Sequence, residues 1–169
     1  ITGTDAASFE LSSSNGLSFK TAPDYETKTS YSLTLSVTDG QVSVTKDITI
    51  SVINLNDNTP VILTSPSRSV MEFATAAGQV IASDADGDSL TYTISGINAS
   101  LLNLTSAGVL TLKTEADYEA RTSYSAVVTA SDGTNSSSQT ITISVINDTF
   151  DDLVPPDKLN LVETQKEAE

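Results

Sequence analysis

The sequence predicts an all-β chain of tandem antiparallel sandwiches, on three observations: apolar and polar residues alternate with period two, turn residues punctuate these runs, and the chain repeats itself. The repeat is the strongest of the three. At an offset of 93 residues, positions 1–54 match positions 94–147 at 25 sites without a gap. Asp24-Tyr25-Glu26 meets Asp117-Tyr118-Glu119, Asp39-Gly40 meets Asp132-Gly133, and Ile48-Thr-Ile-Ser-Val-Ile-Asn54 meets Ile141-Thr-Ile-Ser-Val-Ile-Asn147.

The alternation is β in type. Tyr31-Ser-Leu-Thr-Leu-Ser-Val37, Ile48-Thr-Ile-Ser-Val52 and Leu90-Thr-Tyr-Thr-Ile94 each place apolar residues on one face and hydroxyls on the other. Leu33, Leu35 and Val37 in the first repeat, and Ile141, Ile143 and Val145 in the second, are therefore expected in the core. The second repeat reads in full, with strands expected near 67–73, 78–83, 89–95, 101–105, 108–112, 123–131 and 138–146. Seven short strands in under 100 residues is an immunoglobulin-like, Greek-key count. The first repeat holds counterparts of only the last four, so it is expected to be truncated at its N-terminus. The expected organisation is a partial repeat over 1–54, a linker over 55–60, a complete repeat over 61–147, and an acidic tail over 148–169, helical or disordered.

Composition narrows the function. Formal net charge is −14, from 22 acidic and 8 basic residues, which opposes nucleic acid and anionic membrane as partners and suits hard cations. The chain has no Cys and no His, which removes thiolate nucleophiles, His-based triads and the usual zinc ligands. No apolar run approaches the ~20 residues of a spanning helix, so any membrane attachment is expected through other parts. Ile1-Thr-Gly-Thr4 has neither the basic start nor the apolar stretch of a signal peptide, so the expectation is a fragment that continues upstream. Close acid pairs can serve as general acid and base, but no other catalytic feature accompanies them, and the expectation is no enzyme.

The acids are placed, not scattered. Asp24 and Glu26 precede a strand, and Asn54-Leu-Asn-Asp-Asn-Thr-Pro60 joins the repeats. Pro60 fixes φ and favours an extended connector. Asp84-Ala-Asp86-Gly-Asp88 lies between two strands, and Asp132-Gly133 ends another. The Asp84 loop is no EF-hand: Ser89 stands at the Gly position and Ser95 at the final Glu position. By itself it also reads as a solvated turn, with Asp88 facing solvent. Tyr25 and Tyr118 read as core packing with polar tips. Four Asn-x-Ser/Thr sequons, at Asn98, Asn103, Asn135 and Asn147, matter only in a glycosylating host.

This motif set resembles that of cadherin repeats. There a "DRE"-type triplet, a "DxNDNxP" linker, a "DxD" loop and an "AxDxG" strand end come together where successive domains join. Asp24-Tyr-Glu26, Asn54 to Pro60, Asp84-Ala-Asp86 and Ala130-Ser-Asp132-Gly133 stand in the family's order, and Glu72 matches its first-strand glutamate. Up to about Asn147 nearly the whole chain is covered. The resemblance implies a row of three Ca2+ ions. The inner ion would take Asp84, Asp86, Asp132, the Asn56 side chain and the Asn58 carbonyl. The other two would use Asp24, Glu26, Asp57, Asp86, the Leu55 carbonyl and Asn54. Asn54 departs from the family's Asp and removes one charge. A weaker second cluster is implied for Glu72, Asp117, Glu119, Asp148, Asp151 and Asp152.

The expected function is a calcium-binding extracellular or cell-surface module that stiffens a multi-repeat adhesion protein. Its partners would be calcium ions, neighbouring repeats, and a homophilic or surface ligand. The chain has no Trp, so strand exchange anchored by Trp is excluded for this segment. The alternatives are a structural spacer and a carbohydrate-binding module of a secreted bacterial protein.

Overall fold

Nine residues from Ser123 to Ser131 alternate small or apolar with polar ones, and they form the long strand β12. Tyr124, Ala126, Val128 and Ala130 are buried, while the intervening residues face outward. Its hairpin partner β13 (Ser136–Ile146) buries Ile141, Ile143 and Val145 in the same way. The computed structural model describes residues 1–149, which divide into two compact units, one over Ile1–Asp57 and one beginning at Asn58. Among the described residues there is no α-helix, and so none long and apolar enough to cross a membrane.

The first unit holds β1 (Phe9–Leu11), β2 (Leu17–Phe19), β3 (Ser30–Thr38) and β4 (Ser43–Ser51). The second adds β5 (Val61–Ile62), β6 (Ser67–Met71), β7 (Ala76–Gln79), β8 (Ala82–Ser83), β9 (Thr91–Ser95), β10 (Leu102–Leu104) and β11 (Val109–Leu112) before β12 and β13. One of its sheets runs β6-β13-β12-β9 and the other β10-β11-β7, with β5 and β8 paired at the side. β6 runs parallel to β13, and the other pairings are antiparallel. Val70, Val80, Leu102, Leu110, Val128 and Ile141 are among the side chains that close the core between the sheets. This is the immunoglobulin-like sandwich expected.

The 93-residue offset carries through to the fold. β1, β2, β3 and β4 fall on β10, β11, β12 and β13, and a 3-10 turn at Ala6–Ser8 falls on one at Ala99–Leu101. The first unit has the last four strands only, paired β1-β2 and β3-β4, plus a bridge from Thr2 to Thr34. Its core is correspondingly small. Leu33 is buried, but Leu35 is only half-buried and Val37 is 72% exposed, against the expectation for both. The reason is packing: Val128 and Ala130, at the same positions of the second unit, are covered by strands that the first unit lacks.

Two expected strands of the second repeat differ. The one expected over 67–73 stops at Met71, because Phe73 turns to φ 63° and its N–H donates to the Ala116 carbonyl. The one expected over 78–83 is two strands, β7 against β11 and β8 against β5, parted where Val80 N–H donates to Gly108.

Candidate metal centre

In the first unit, Asp24 opens a turn that its own carboxylate caps. The Thr27 N–H reaches Oδ1 at 3.1 Å and the Thr27 hydroxyl reaches Oδ2 at 2.9 Å. The hydroxyl first, then the N–H, hold the Asp24 carboxyl below its usual range. Asp24 and Glu26 are exposed and Tyr25 is half-buried. Val52 N–H donates to the Thr29 carbonyl, so the chain leaves β4 beside this turn and enters Asn54, Leu55, Asn56 and Asp57. Asn54, Leu55 and Asp57 are exposed; Asn56 Oδ1 is shielded from solvent and accepts no hydrogen bond.

In the second unit the expected ligands are linked into one network. Asp86 N–H donates to Asp84 Oδ1 at 3.0 Å, which folds the Asp-x-Asp loop back on itself. Asn58 grips Asp86 twice, with its N–H on Oδ2 at 2.8 Å and its Nδ2 on Oδ1 at 2.9 Å. Asp132 accepts the N–H groups of Thr134 and Asn135 on Oδ1, both at 2.6 Å. Asn135 Nδ2 in turn donates to the Asn58 carbonyl at 3.1 Å. Asp84, Asp86, Asn58 and Asp132 thus stand in one hydrogen-bonded network.

Two oxygens are left over. Asp84 Oδ2 and Asp132 Oδ2 are shielded from water and have no hydrogen-bond donor. A shielded carboxylate oxygen without a partner is costly, and a divalent cation is the compensation that fits a set of oxygen donors. On that test the residues present suit Ca2+.

Two members of this arrangement escaped the sequence reading. Asp88 is exposed as expected, yet it brings an oxygen within 4.8 Å of oxygens of Asp84 and Asp86. The Asp-x-Asp-x-Asp spacing was the available signal. Asn135 stood out only as a sequon, and the Asp-x-x-Asn spacing after β12 is what places it here.

The weaker cluster also has a core. Glu72, only 6% exposed, shares a 4.8 Å group with Asp117 and Glu119. Its Oε1 accepts Tyr118 N–H at 2.7 Å and its Oε2 accepts Asp148 N–H at 3.0 Å, and these donors hold its carboxyl below the usual range. Asp117 repeats the Asp24 turn, accepting Ala120 N–H at 2.7 Å. Tyr118 packs partly buried against the core. Asp151, Asp152 and most of the expected tail lie outside the described residues.

The sequence profile of the family described as Bacterial Ig domain matches residues 56–144, more than half of the chain. Protocadherin Fat 4 of Mus musculus is 34% identical over 142 residues, 77% of this chain and 3% of that protein. Chitinase A of Pseudoalteromonas piscicida is 35% identical over 126 residues, 74% of this chain and 15% of that protein. The chain thus spans a small part of the length of these relatives. Among solved structures, the Protocadherin GammaB4 extracellular domain superposes with a TM-score of 0.70 at 26% identity, over 84% of this chain and 25% of that one. Cadherin-like sandwiches are therefore the structural neighbours of this chain.

Proposed function

The chain belongs to the bacterial Ig domain family, and from that premise we propose that it is a calcium-binding extracellular repeat module that stiffens a multi-repeat adhesion protein. The observation that carries the reading is the pair of shielded, donor-free oxygens, Asp84 Oδ2 and Asp132 Oδ2. Asp84, Asp86, Asp132 and the Asn58 carbonyl would hold the inner ion, with Asp88 in reserve. The cadherin resemblance implies the Asn56 side chain as a further ligand of that ion, and Asn54, the Leu55 carbonyl, Asp57, Asp24 and Glu26 as ligands of two others. Ca2+ takes six to eight oxygens in flexible geometry, which suits such a mixture of carboxylates, amides and carbonyls. Without the ion the carboxylates repel one another; with it they are neutralised and the linker stiffens. The role is binding and spacing, not catalysis, and adhesion to a like copy or a surface ligand would act through the array that contains it.

Calorimetry with the full chain is the test. Saturable Ca2+ uptake with a dissociation constant of roughly 10⁻⁴ to 10⁻³ M is expected, as for extracellular modules. No heat above a Mg2+ control at millimolar metal would overturn the reading. Stiffening is read separately, by small-angle scattering: chelator should broaden the distribution of dimensions while far-UV circular dichroism stays nearly constant.

A second reading, a carbohydrate-facing module, is favoured by the likeness to Chitinase A and by the outer face of the β6-β13-β12-β9 sheet. Ser69, Thr93, Ser125, Thr129, Thr140 and Thr142 spread hydroxyls over that face of an acidic molecule. Retention on insoluble chitin, lost on adding bulky charge at Thr140 (Thr140→Lys), is its test.

A further inference from the structure

The second unit closes one side of its sandwich and leaves the other open. On the closed side, Arg68 of β6 donates its guanidinium to the carbonyls of Ala77, at 2.8 Å, and Gln79, and β5 pairs with β8. On the open side lie β9, at the end of one sheet, and β10, at the end of the other. Among the described residues neither has a strand on its outer edge. Free strand edges are normally guarded by Lys, by Pro, by a bulge or by a covering segment. β9 is Thr91-Tyr-Thr-Ile-Ser95, with no charge and no proline, and it pairs with β12 without a shift of register. Its inward side chains, Tyr92 and Ile94, are only partly buried against the core. Just beyond it, Ile97 is 85% exposed.

Charge marks the same side. Residues 89–112, which run through β9, β10 and β11, contain no Asp, Glu, Lys or Arg, in a chain of formal net charge −14. A charged partner finds nothing to pair with here. Two copies of this acidic chain, by contrast, can meet here without setting like charges face to face. We propose that the open edge of β9 is a self-association site, and that its occupant is β9 of a second copy of this chain. An antiparallel strand pair is self-complementary about a two-fold axis. With Thr93, the middle residue, on that axis, Thr91 stands opposite Ser95 of the second copy and Tyr92 opposite Ile94. Hydroxyls then meet on the outer face and apolar side chains on the inner one. Main-chain hydrogen bonds across the new edge supply affinity. The contact deepens the adhesive reading above, on which its use rests, and it needs no calcium, because none of the expected ligands lies in residues 89–112.

Sedimentation equilibrium of the intact 169-residue chain, from micromolar to millimolar and in either Ca2+ or chelator, is the test. A reversible dimer is expected in both media, so its failure and a failure of calcium uptake are read apart. Hydrogen exchange should slow in Thr91–Ser95 on dimerisation. Thr93→Lys lowers the net negative charge yet sets like charges opposite each other across the axis, and should weaken the dimer at least about tenfold. Ile97→Lys, in a turn with no strand to lose, should weaken it as well, whereas Ser67→Lys, exposed on β6 at the closed side, should not. A chain that stays monomeric at millimolar concentration would overturn the proposal. So would a dimer protected in residues 1–57 instead, or one that tolerates Thr93→Lys and Ile97→Lys as well as it does Ser67→Lys.

Discussion

Asp86 and Asp88 stand two residues apart in one loop and differ in how they are held. Asp86 is half-buried and takes two donors from Asn58, whereas Asp88 is exposed. Asp86→Ala is therefore expected to weaken Ca2+ binding about tenfold or more, the worth of one charged hydrogen-bonded contact, and Asp88→Ala by less. Equal losses in calorimetric titrations of the two variants would contradict the arrangement. A second residue-scale contrast is set by the repeat itself. Asp5 Oδ2 accepts Ser32 N–H at 2.8 Å, and its counterpart Asn98 accepts Ser125 N–H at 2.9 Å in the same turn. Only Asp5 titrates. Its bond to Lys28 first, then that to Ser32, hold its pKa below the ordinary value. A depressed carboxylate pKa stabilises the fold above the unfolded value of about 3.9, and that contribution is lost as pH falls through the lower, folded value. Acid unfolding of the first unit should carry this dependence together with those of Asp24 and Asp39, whose carboxyls are likewise held low, and Asp5→Asn should remove only its own share in melts taken across pH 2–5, leaving the second unit unmoved.

At the scale of elements, how much was legible depends on what holds each strand. β12 and β13 are long, alternate cleanly and are rich in β-branched residues, so their residues announce them. β7 is Ala-Ala-Gly-Gln, with little intrinsic strand preference. It is held from outside: Arg68 on β6 donates its guanidinium to the carbonyls of Ala77, at 2.8 Å, and Gln79. A contact across the sandwich leaves no periodic trace in the sequence, and the boundaries of β7 and β8 were misplaced accordingly. The candidate site divides in the same way. Its acids were legible because their spacing is local, while Asn135 acts through Asn58, 77 positions away, and was not. The turn between β10 and β11 is a sensitive point. Gly108 has φ +80°, and a Cβ there would lie 2.3 Å from the Val80 carbonyl oxygen, whose own N–H is bonded to Gly108. Gly133 has φ +97° but nothing within 4 Å. Gly108→Ala should cost about 2 kcal/mol or more and Gly133→Ala about 1 kcal/mol, read by urea unfolding.

For the molecule as a whole, stability is divided unequally. Among the described residues, two apolar side chains other than proline are buried in the first unit, Phe9 and Leu33, against fourteen in the second. The first unit leans on the rings of Phe9, Phe19 and Tyr31, whose centroids lie 4.3–5.8 Å apart. Apolar burial is the main favourable term in folding, so calorimetric melting should resolve two transitions, the lower one belonging to residues 1–57. A single cooperative transition would contradict that division.

The parallel pairing of β6 with β13 has a consequence for force. These strands are the first and last long strands of the second unit, and they lie side by side and run in the same direction. Tension applied to the two ends of that unit therefore loads the ladder between Ser67–Met71 and residues 142–146 in shear. Its hydrogen bonds must then yield together, not one after another as in a peeled hairpin. Resistance to pulling is set by the unfolding barrier, not by equilibrium stability. Single-molecule extension should show one abrupt, high-force rupture for this unit. The ladder's phase is set by Thr142 N–H on the Pro66 carbonyl and Glu72 N–H on the Ile146 carbonyl, which turns the Ser144 N–H toward β6; Ser144→Pro should therefore lower that rupture force far more than a proline in an exposed turn does.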